Sequence, residues 1–468
     1  MVKRYLPILI ALSIAGCATN SELDKKLQFP EVPENWQITQ SSIEVKDNWL
    51  PQFAQNELID LVNEALTQNY ALRQEAYGAE ILKQRLLQSE ADFWPTLDLD
   101  FSSGRSRSSS TEVTSNSHSI GLESGYEIDI WGKLSAAQQQ ANLNYLASVA
   151  QYQQSRQTLV ASVVSGWFDL ITAKQLLDLA EQRVENSKQN LDIIESGYRQ
   201  GLNSALDVYL SRNELNSEIS NLADQQTSLL QTSRTLERLL GRYPSGKVAA
   251  TVADTSLPLL DTQIPTGLPA DVITRKPELK ASWYQVLAED AGLAYAHKQR
   301  FPSFNLSASI SDSTDELSDL LSGSSFAWSL IGSIAAPIFR AGDLKANEEA
   351  ARLTLKQQEQ AYLDTLFEAF SDVENAITTE KGLKQSYLAT VNASKNAKEA
   401  ETLSFEQYQK GLVTYTTVLE AQGRSFDAQN ALIQIKNQLL ANRVDLHIAL
   451  GGDFADTQIN QEDVLTNE

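Results

Sequence analysis

Residues 133–198 and 343–408 are two stretches of 66 residues with no proline, rich in Gln, Ala, Leu, Glu and Ser. Each reads as one unbroken helix, on the order of 100 Å long at 1.5 Å per residue. A compact domain has no use for such a length, whereas a tube or a spacer does. Leu177, Ala180, Val184, Ser187, Leu191, Ile194 and Tyr198 follow a 3,4 spacing. Val208, Leu215, Ile219, Leu222, Leu229, Leu236 and Leu240 fall on a matching ladder in the next helix, with Arg212, Gln226 and Ser233 as polar rungs. This is coiled-coil spacing.

The second stretch belongs to a repeat of the first. Gly132-Lys133-Leu134 corresponds to Gly342-Asp343-Leu344, Tyr198-Arg199-Gln200-Gly201-Leu202 to Tyr408-Gln409-Lys410-Gly411-Leu412, and Leu240-Gly241 to Leu450-Gly451, all at an offset of 210. Pro95-Thr96-Leu97-Asp98-Leu99 corresponds to Pro302-Ser303-Phe304-Asn305-Leu306 at 207. Agreement at separated places marks a tandem duplication, residues 56–240 and 270–450. Each half begins with a helix, 56–91 or 270–299, that ends before Pro95 or Pro302. A strand follows (96–104 or 303–311), then a serine-rich loop and a second strand (118–130 or 326–338). The long helix comes next, 133–198 or 343–408. A break at Gly201 or Gly411 leads to a last helix, 203–240 or 413–450, stopped by Gly241 or Gly451. Residues 241–269 link the halves, and 451–468 form a tail.

Alternation marks the strands. Leu97, Leu99 and Phe101 alternate with Asp98, Asp100 and Ser102, and Ile120, Leu122, Tyr126, Ile128 and Ile130 with Gly121, Glu123, Gly125, Glu127 and Asp129. Phe304, Leu306, Ala308 and Ile310 alternate with serines and Asn305, and Phe326, Trp328, Leu330, Ile334 and Ile338 share one parity. One apolar face suits a sheet packed on its own core and equally a membrane barrel. Four strands close no pore, and no further strands are available for a sandwich, so closure requires other copies of the chain. The acids among these strands either line a pore or keep a polar face wet.

The N-terminus adds a location. Lys3 and Arg4, the apolar run Leu6–Ala15 and Ile14-Ala15-Gly16-Cys17 have the layout of a secretory signal, residues 1–16, too short to span a bilayer. Ile-Ala-Gly-Cys resembles a bacterial lipobox. That resemblance implies cleavage before Cys17, a covalent lipid there (S-diacylglycerol and N-palmitoyl) and, with Ala18 next, delivery to the outer membrane. Residues 17–55 are then a lipidated N-terminal segment. Cys17 is the only cysteine, so no disulfide or cysteine metal site forms. The net charge is −22, and −24 once Lys3 and Arg4 leave, which argues against nucleic-acid binding. His118, His297 and His447 are scattered, and no nucleophile elbow, phosphate loop or zinc motif is present, so an enzyme is not expected and no cofactor is implied.

Taken together, these features resemble the TolC-type outer-membrane efflux family, nearest its lipidated OprM-like (NodT-type) subgroup. The residues that carry the resemblance are Trp49-Leu50-Pro51-Gln52-Phe53, Arg275-Lys276-Pro277-Glu278-Leu279, Arg300-Phe301-Pro302-Ser303, Tyr126 through Lys133, Pro337-Ile338-Phe339 and the Tyr-x-x-Gly turns. The resemblance covers nearly all of the chain from Cys17 to about residue 452. It implies a mainly α chain with a small β part, two tandem repeats and a homotrimer. The trimer would be a 12-stranded outer-membrane β-barrel continuous with a periplasmic α-helical coiled-coil barrel, belted by residues 20–55, 241–269 and the tail. The implied function is a passive exit duct of a tripartite efflux system in a Gram-negative bacterium. Its partners would be a periplasmic adaptor, an inner-membrane resistance-nodulation-division pump and outer-membrane lipid. Type I protein secretion is the alternative use of such a duct.

By the same resemblance the duct shuts at its periplasmic tips. Tyr408 aligns with a tyrosine that hydrogen-bonds across coils, Tyr198 is its counterpart, and Asp207 and Glu420 fall at constriction acids. Gly201, Leu202, Gly411 and Leu412 form the turns that an adaptor would grip. Val413 stands where some members have a basic residue, and Thr417 where a second acid often sits. Each of these residues also has a simpler reading. Asp207 can be an N-cap-like or solvated acid, Glu420 an exposed helix carboxylate, and the tyrosines heptad core residues.

Overall fold

The computed structural model describes residues 32–37, 48–53, 56–107, 114–252, 255–258, 266–322 and 325–454. Cys17, the signal and most of the tail lie outside them. The described elements are α1 (Asn56–Gln68), α2 (Tyr70–Ala91), β1 (Asp98–Arg107), β2 (Thr114–Ile128), α3 (Lys133–Arg199) and α4 (Ala205–Leu239), followed by α5 (Pro269–Arg275), α6 (Pro277–Lys298), β3 (Ser303–Thr314), β4 (Ala327–Ala335), α7 (Asp343–Gln409) and α8 (Tyr415–Ala449). The fold is mainly helical with one small sheet. α3 and α7 are 67 residues each, and α4 and α8 are 35 each.

The chain divides into two compact units. The first, residues 77–150 and 280–365 among its described parts, holds the antiparallel sheet in the order β1-β2-β3-β4. The register places Leu99 opposite Leu122, Leu122 opposite Ile310 and Ile310 opposite Trp328, so one face is a continuous apolar surface. Among the described residues most of that face is open, with Trp328 79% exposed and Ile334 67%, while at one end Asp312 is buried and accepts the Leu321 amide and at the other Trp131 packs on Phe304. The other face carries Asp98, Asp100, Glu123, Glu127 and a field of serines, and none of its described residues is Lys or Arg. β1 and β4 are open edges among the described residues. Where β2 meets α3, Asp129 accepts from the Leu134 and Ser135 amides and the Ser135 hydroxyl, capping α3. Trp131 stacks on Phe301 and donates its indole N–H to Pro302 O, which fixes the turn between strand and helix.

The second unit holds the described residues within 32–76, 151–279 and 366–454. Its core joins Trp49, Phe53, Leu58 and Val62 to Val163, Val164, Trp167, Phe168 and Ile171 of α3, Leu236 and Leu240, and Val444 of α8. Four helix ends share one cap. The amide one residue past Gly201, Gly241, Gly411 and Gly451 donates to the carbonyl five residues back, and the glycine amide to the carbonyl three back. This Schellman geometry needs a left-handed residue, and the four glycines have φ of +75°, +73°, +70° and +68°.

Several expected boundaries change. The helices expected at 56–91 and 270–299 are each broken, at Asn69 and Lys276. Asn69 leaves the helix because its side-chain amide donates to Leu239 O while its side-chain carbonyl caps Leu72. Lys276 precedes Pro277, which disfavours helical backbone there, and it is extended at ψ 116°. Each break lies against a helix-ending glycine. A Cβ on Gly241 would sit 2.5 Å from Gln68 O, and one on Gly451 would sit 2.8 Å from Lys276 N. β2 starts at Thr114 rather than 118, and β1 runs to Arg107 rather than 104. The serines of the expected loop extend the ladder, with Ser102 and Ser119 hydroxyls 2.8 Å apart and Ser106 and Ser115 3.0 Å apart. β3 likewise runs on to Thr314. β4 ends at Ala335, short of Pro337, which has no N–H for a ladder, so Ile338 lies outside the strand. The last helices start at Ala205 and Tyr415, after their caps, rather than at 203 and 413.

Candidate functional site

The turn at Gly201 and the turn at Gly411 belong to one unit and meet through four side chains. Asn203, just past the first turn, donates its amide to Ile194 O at 3.0 Å. Its Oδ1 accepts the Tyr408 hydroxyl at 3.0 Å. Gly197 makes this possible, since a Cβ there would lie 2.8 Å from Asn203 Cγ. Tyr415, at the start of α8, is buried and donates its hydroxyl to Ser211 of α4 at 3.1 Å. The rings of Tyr408 and Tyr415 are 5.4 Å apart and tilted by 52°. Beneath them Ile194, Val208, Tyr415 and Val418 form a small apolar cluster, with Phe405 and Leu419 packed on it. The hairpin of α3 and α4 is thus tied to the hairpin of α7 and α8 by two tyrosine hydroxyls over an apolar base.

Asp207 sits in a capping box. Its carboxylate accepts from the Ser204 amide at 3.0 Å and hydroxyl at 2.8 Å, and Ser204 Oγ accepts the Asp207 amide at 3.2 Å. The helix-cap reading of Asp207 therefore applies. Its charge still reaches the tie. Burial, followed by the nearby Asp207 carboxylate and Tyr415, pushes the Tyr408 hydroxyl up to about 12. Burial likewise raises Tyr415, against its bond to Ser211. Both hydroxyls stay protonated and act as donors.

The other expected residues are placed apart from this tie. Tyr198 is 49% exposed, and its hydroxyl has no hydrogen-bond partner among the described residues. The core reading of Tyr198 is therefore corrected, because the last rung of its ladder faces outward. Its counterpart for Asn203 is Val413, which has no polar side-chain atom to offer. Glu420 is exposed on α8 and without an ion-pair partner among the described residues. Gly201 and Gly411 are the turn glycines, and Leu202 and Leu412 beside them are 77% and 70% exposed. Sequence reasoning missed Asn203, Gly197, Tyr415 and Ser211. The offset of 210 carried a signal, since it pairs them with Val413, Gln407, Ala205 and Ala421, all different in chemistry.

Among the described residues no group of three or more His, Cys, Asp or Glu is arranged to hold a metal ion, and no helix is long and apolar enough to cross a membrane. Residues 61–242 and 268–452 match the family described as outer membrane efflux protein. The two matched segments each run from an early helix to the end of a 35-residue helix. The chain is 28% identical over 466 residues to the cation efflux system protein CusC of Escherichia coli O6:H1, covering 96% of this chain and 99% of that one. It is also 28% identical over 481 residues to the solvent efflux pump outer membrane protein SrpC of Pseudomonas putida, covering 98% and 100%. In fold it is similar to the Campylobacter jejuni CmeC outer membrane channel, with a TM-score of 0.84, 20% identity, and coverage of 94% of this chain and 96% of that one.

Proposed function

The chain belongs to the outer membrane efflux protein family, and from that premise we infer that it is the outer-membrane exit duct of a tripartite efflux system. It conducts small molecules passively from a periplasmic adaptor and an inner-membrane pump of the resistance-nodulation-division class. The observation that carries this reading is the sheet. Its apolar face is largely exposed, its other face is acidic and serine-rich, and both its edges are open among the described residues. A water-soluble sheet buries its apolar face, whereas a barrel strand in lipid leaves it outward. Three copies joined edge to edge, β4 to the next β1, give twelve strands and turn the acidic face to the lumen. The lipid on Cys17 would add an anchor.

The tie at the helix tips is the closed state of the periplasmic aperture. Tyr408 and Asn203 hold the two hairpins together, Tyr415 and Ser211 support them, and the exposed Leu202 and Leu412 turns are where an adaptor would pull. In a threefold assembly Asp207 and Glu420 each become a ring of three carboxylates, which attracts cations into a narrow opening. Relatives of equal identity are named for cation efflux and for solvent efflux, so cargo is set by the pump rather than by this chain. Native mass spectrometry of the detergent-extracted protein tests the assembly, with three copies expected and a monomer contradicting it. Deletion tests the use. Hypersensitivity to small toxic compounds is the expected result, and loss of an exported protein with unchanged sensitivity would point to type I secretion instead.

A further inference from the structure

A second junction between the hairpins lies sixteen residues before the end of α3, about 24 Å from it at 1.5 Å per residue. Three helices meet there at Arg183 of α3. Its guanidinium is 2.5 Å from Glu218 and 4.0 Å from Glu214, both on α4. The same guanidinium lies over the Phe426 ring of α8, 4.3 Å from its centroid. Glu218 and Phe426 are buried, and Glu218 Oε2 and Arg183 Nε are buried without a hydrogen-bond partner among the described residues. Burial raises the Glu218 carboxyl, against the pull of Arg183 and with a further push from Glu214.

A buried ion pair is a weak source of stability, since apolar side chains of similar size often serve as well. What this pair supplies is orientation. Glu218 holds the guanidinium plane so that one face is presented to α8, and an aromatic ring on α8 occupies that face. Cation–π contact of this kind strengthens when it is desolvated. The duplication offers no reciprocal junction. The positions 210 residues away from Arg183, Glu218 and Phe426 are Ala393, Ala428 and Asn216, which carry neither a charge nor an aromatic ring. The contact exists once per chain and joins the first hairpin to the second.

We propose that Arg183, clamped by Glu218 and stacked on Phe426, is a positioning residue of the aperture: a second tie that limits how far α8 swings from α3 and α4 when the tips part. The proposal rests on the gate reading above. With only the tip tie, parting at Asn203 and Tyr408 would propagate freely up the hairpins. With the upper tie the hairpins hinge about it, and the opening is confined to the segment below.

The test is the single-channel conductance of the reconstituted full-length protein, with trimer assembly checked on an unheated gel. Phe426→Leu, which removes the ring and keeps the ion pair, is expected to raise mean conductance at least twofold. Phe426→Tyr, which keeps the ring, should stay at the parental value. Should Phe426→Leu fail to assemble, Arg183→Lys decides, since it keeps the charge and loses the stacking plane, and the same rise is expected. Asn203→Val serves as the internal reference. If it opens the channel while Phe426→Leu or Arg183→Lys conducts like the parent, the upper tie is wrong and the gate stands. If no variant changes conductance, the gate reading falls and this inference falls with it.

Discussion

The turn at Gly201 and the turn at Gly411 have the same backbone and different chemistry. Both close with the same pair of hydrogen bonds around a left-handed glycine, and the helices leading in and out have equal lengths in the two halves. Yet the first turn carries Asn203, Ser204 and Asp207, a full capping box and an acceptor for a tyrosine. The second carries Val413, Thr414 and Thr417, whose two threonine hydroxyls lie 3.2 Å from each other with no side-chain cap on the helix. The two halves share what sets the path of the chain and differ in the residues that make the tie. A symmetric pair of turns would tie twice or not at all, and the difference makes one tyrosine a donor between the hairpins and leaves the other exposed.

The same contrast recurs where the last helices end. Glu237 of α4 accepts from the Gly246 and Val248 amides and the Ser245 hydroxyl, fixing the loop after the helix. Burial works against its ionised form, and these donors outweigh it and hold the carboxyl below its usual range. The matching position, 210 residues on, is His447. It is buried, stacked on Trp49 at 5.4 Å with an 11° tilt, and both its ring nitrogens lack a partner among the described residues. Burial, followed by Arg443, holds it down at about 4. One half uses a charge to bind a loop, and the other uses a neutral ring to seat the segment before α1.

Glu237→Ala orphans three donors and is expected to cost about 3 kcal/mol, read as a fall in the denaturant midpoint. Acid acts on the other half. The unfolded His447 takes its proton near pH 6.5 and the folded one near 4, so the unfolded state binds more protons between those values and stability is lost as pH falls through that window. The loss is about 2 kcal/mol at pH 5, and His447→Phe should flatten that slope of melting temperature against pH. Asn203→Val converts the first turn to the second. It frees Tyr408 and should cost about 1 to 2 kcal/mol, while raising conductance. Gly197→Ala is expected to give the same conductance, because its Cβ expels Asn203. Thr417→Asp builds a capping-box acid into the second turn and should add about 0.5 kcal/mol of stability without tying Tyr198.

Much of the fold was legible because its determinants are local. Glycines at helix ends, prolines before strands and the heptad ladder act over a few residues, and the matching motifs 207 to 210 residues apart mark the helix-end glycines and prolines twice. The features that were not legible are long-range. Nothing near Asn69 forbids a helix, and the break comes from Leu239, 170 residues away. Ser115 and Ser117 look like loop residues until β1 is beside them. At the tips Tyr408 and Asp207 could be picked from the sequence, but the acceptor Asn203 could not. Its role depends on a glycine six residues before it and a tyrosine 205 residues after it.

Under the proposed gate, Tyr408 shuts the duct and Tyr198, at the matching position, does not. Single-channel conductance of Tyr408→Phe against Tyr198→Phe, in planar bilayers, tests it most directly. Each substitution removes one hydroxyl and leaves the ring. The account predicts a low-conductance parent, a several-fold rise for Tyr408→Phe and no change for Tyr198→Phe. Equal conductance of both variants with the parent, or a rise for Tyr198→Phe alone, would contradict it.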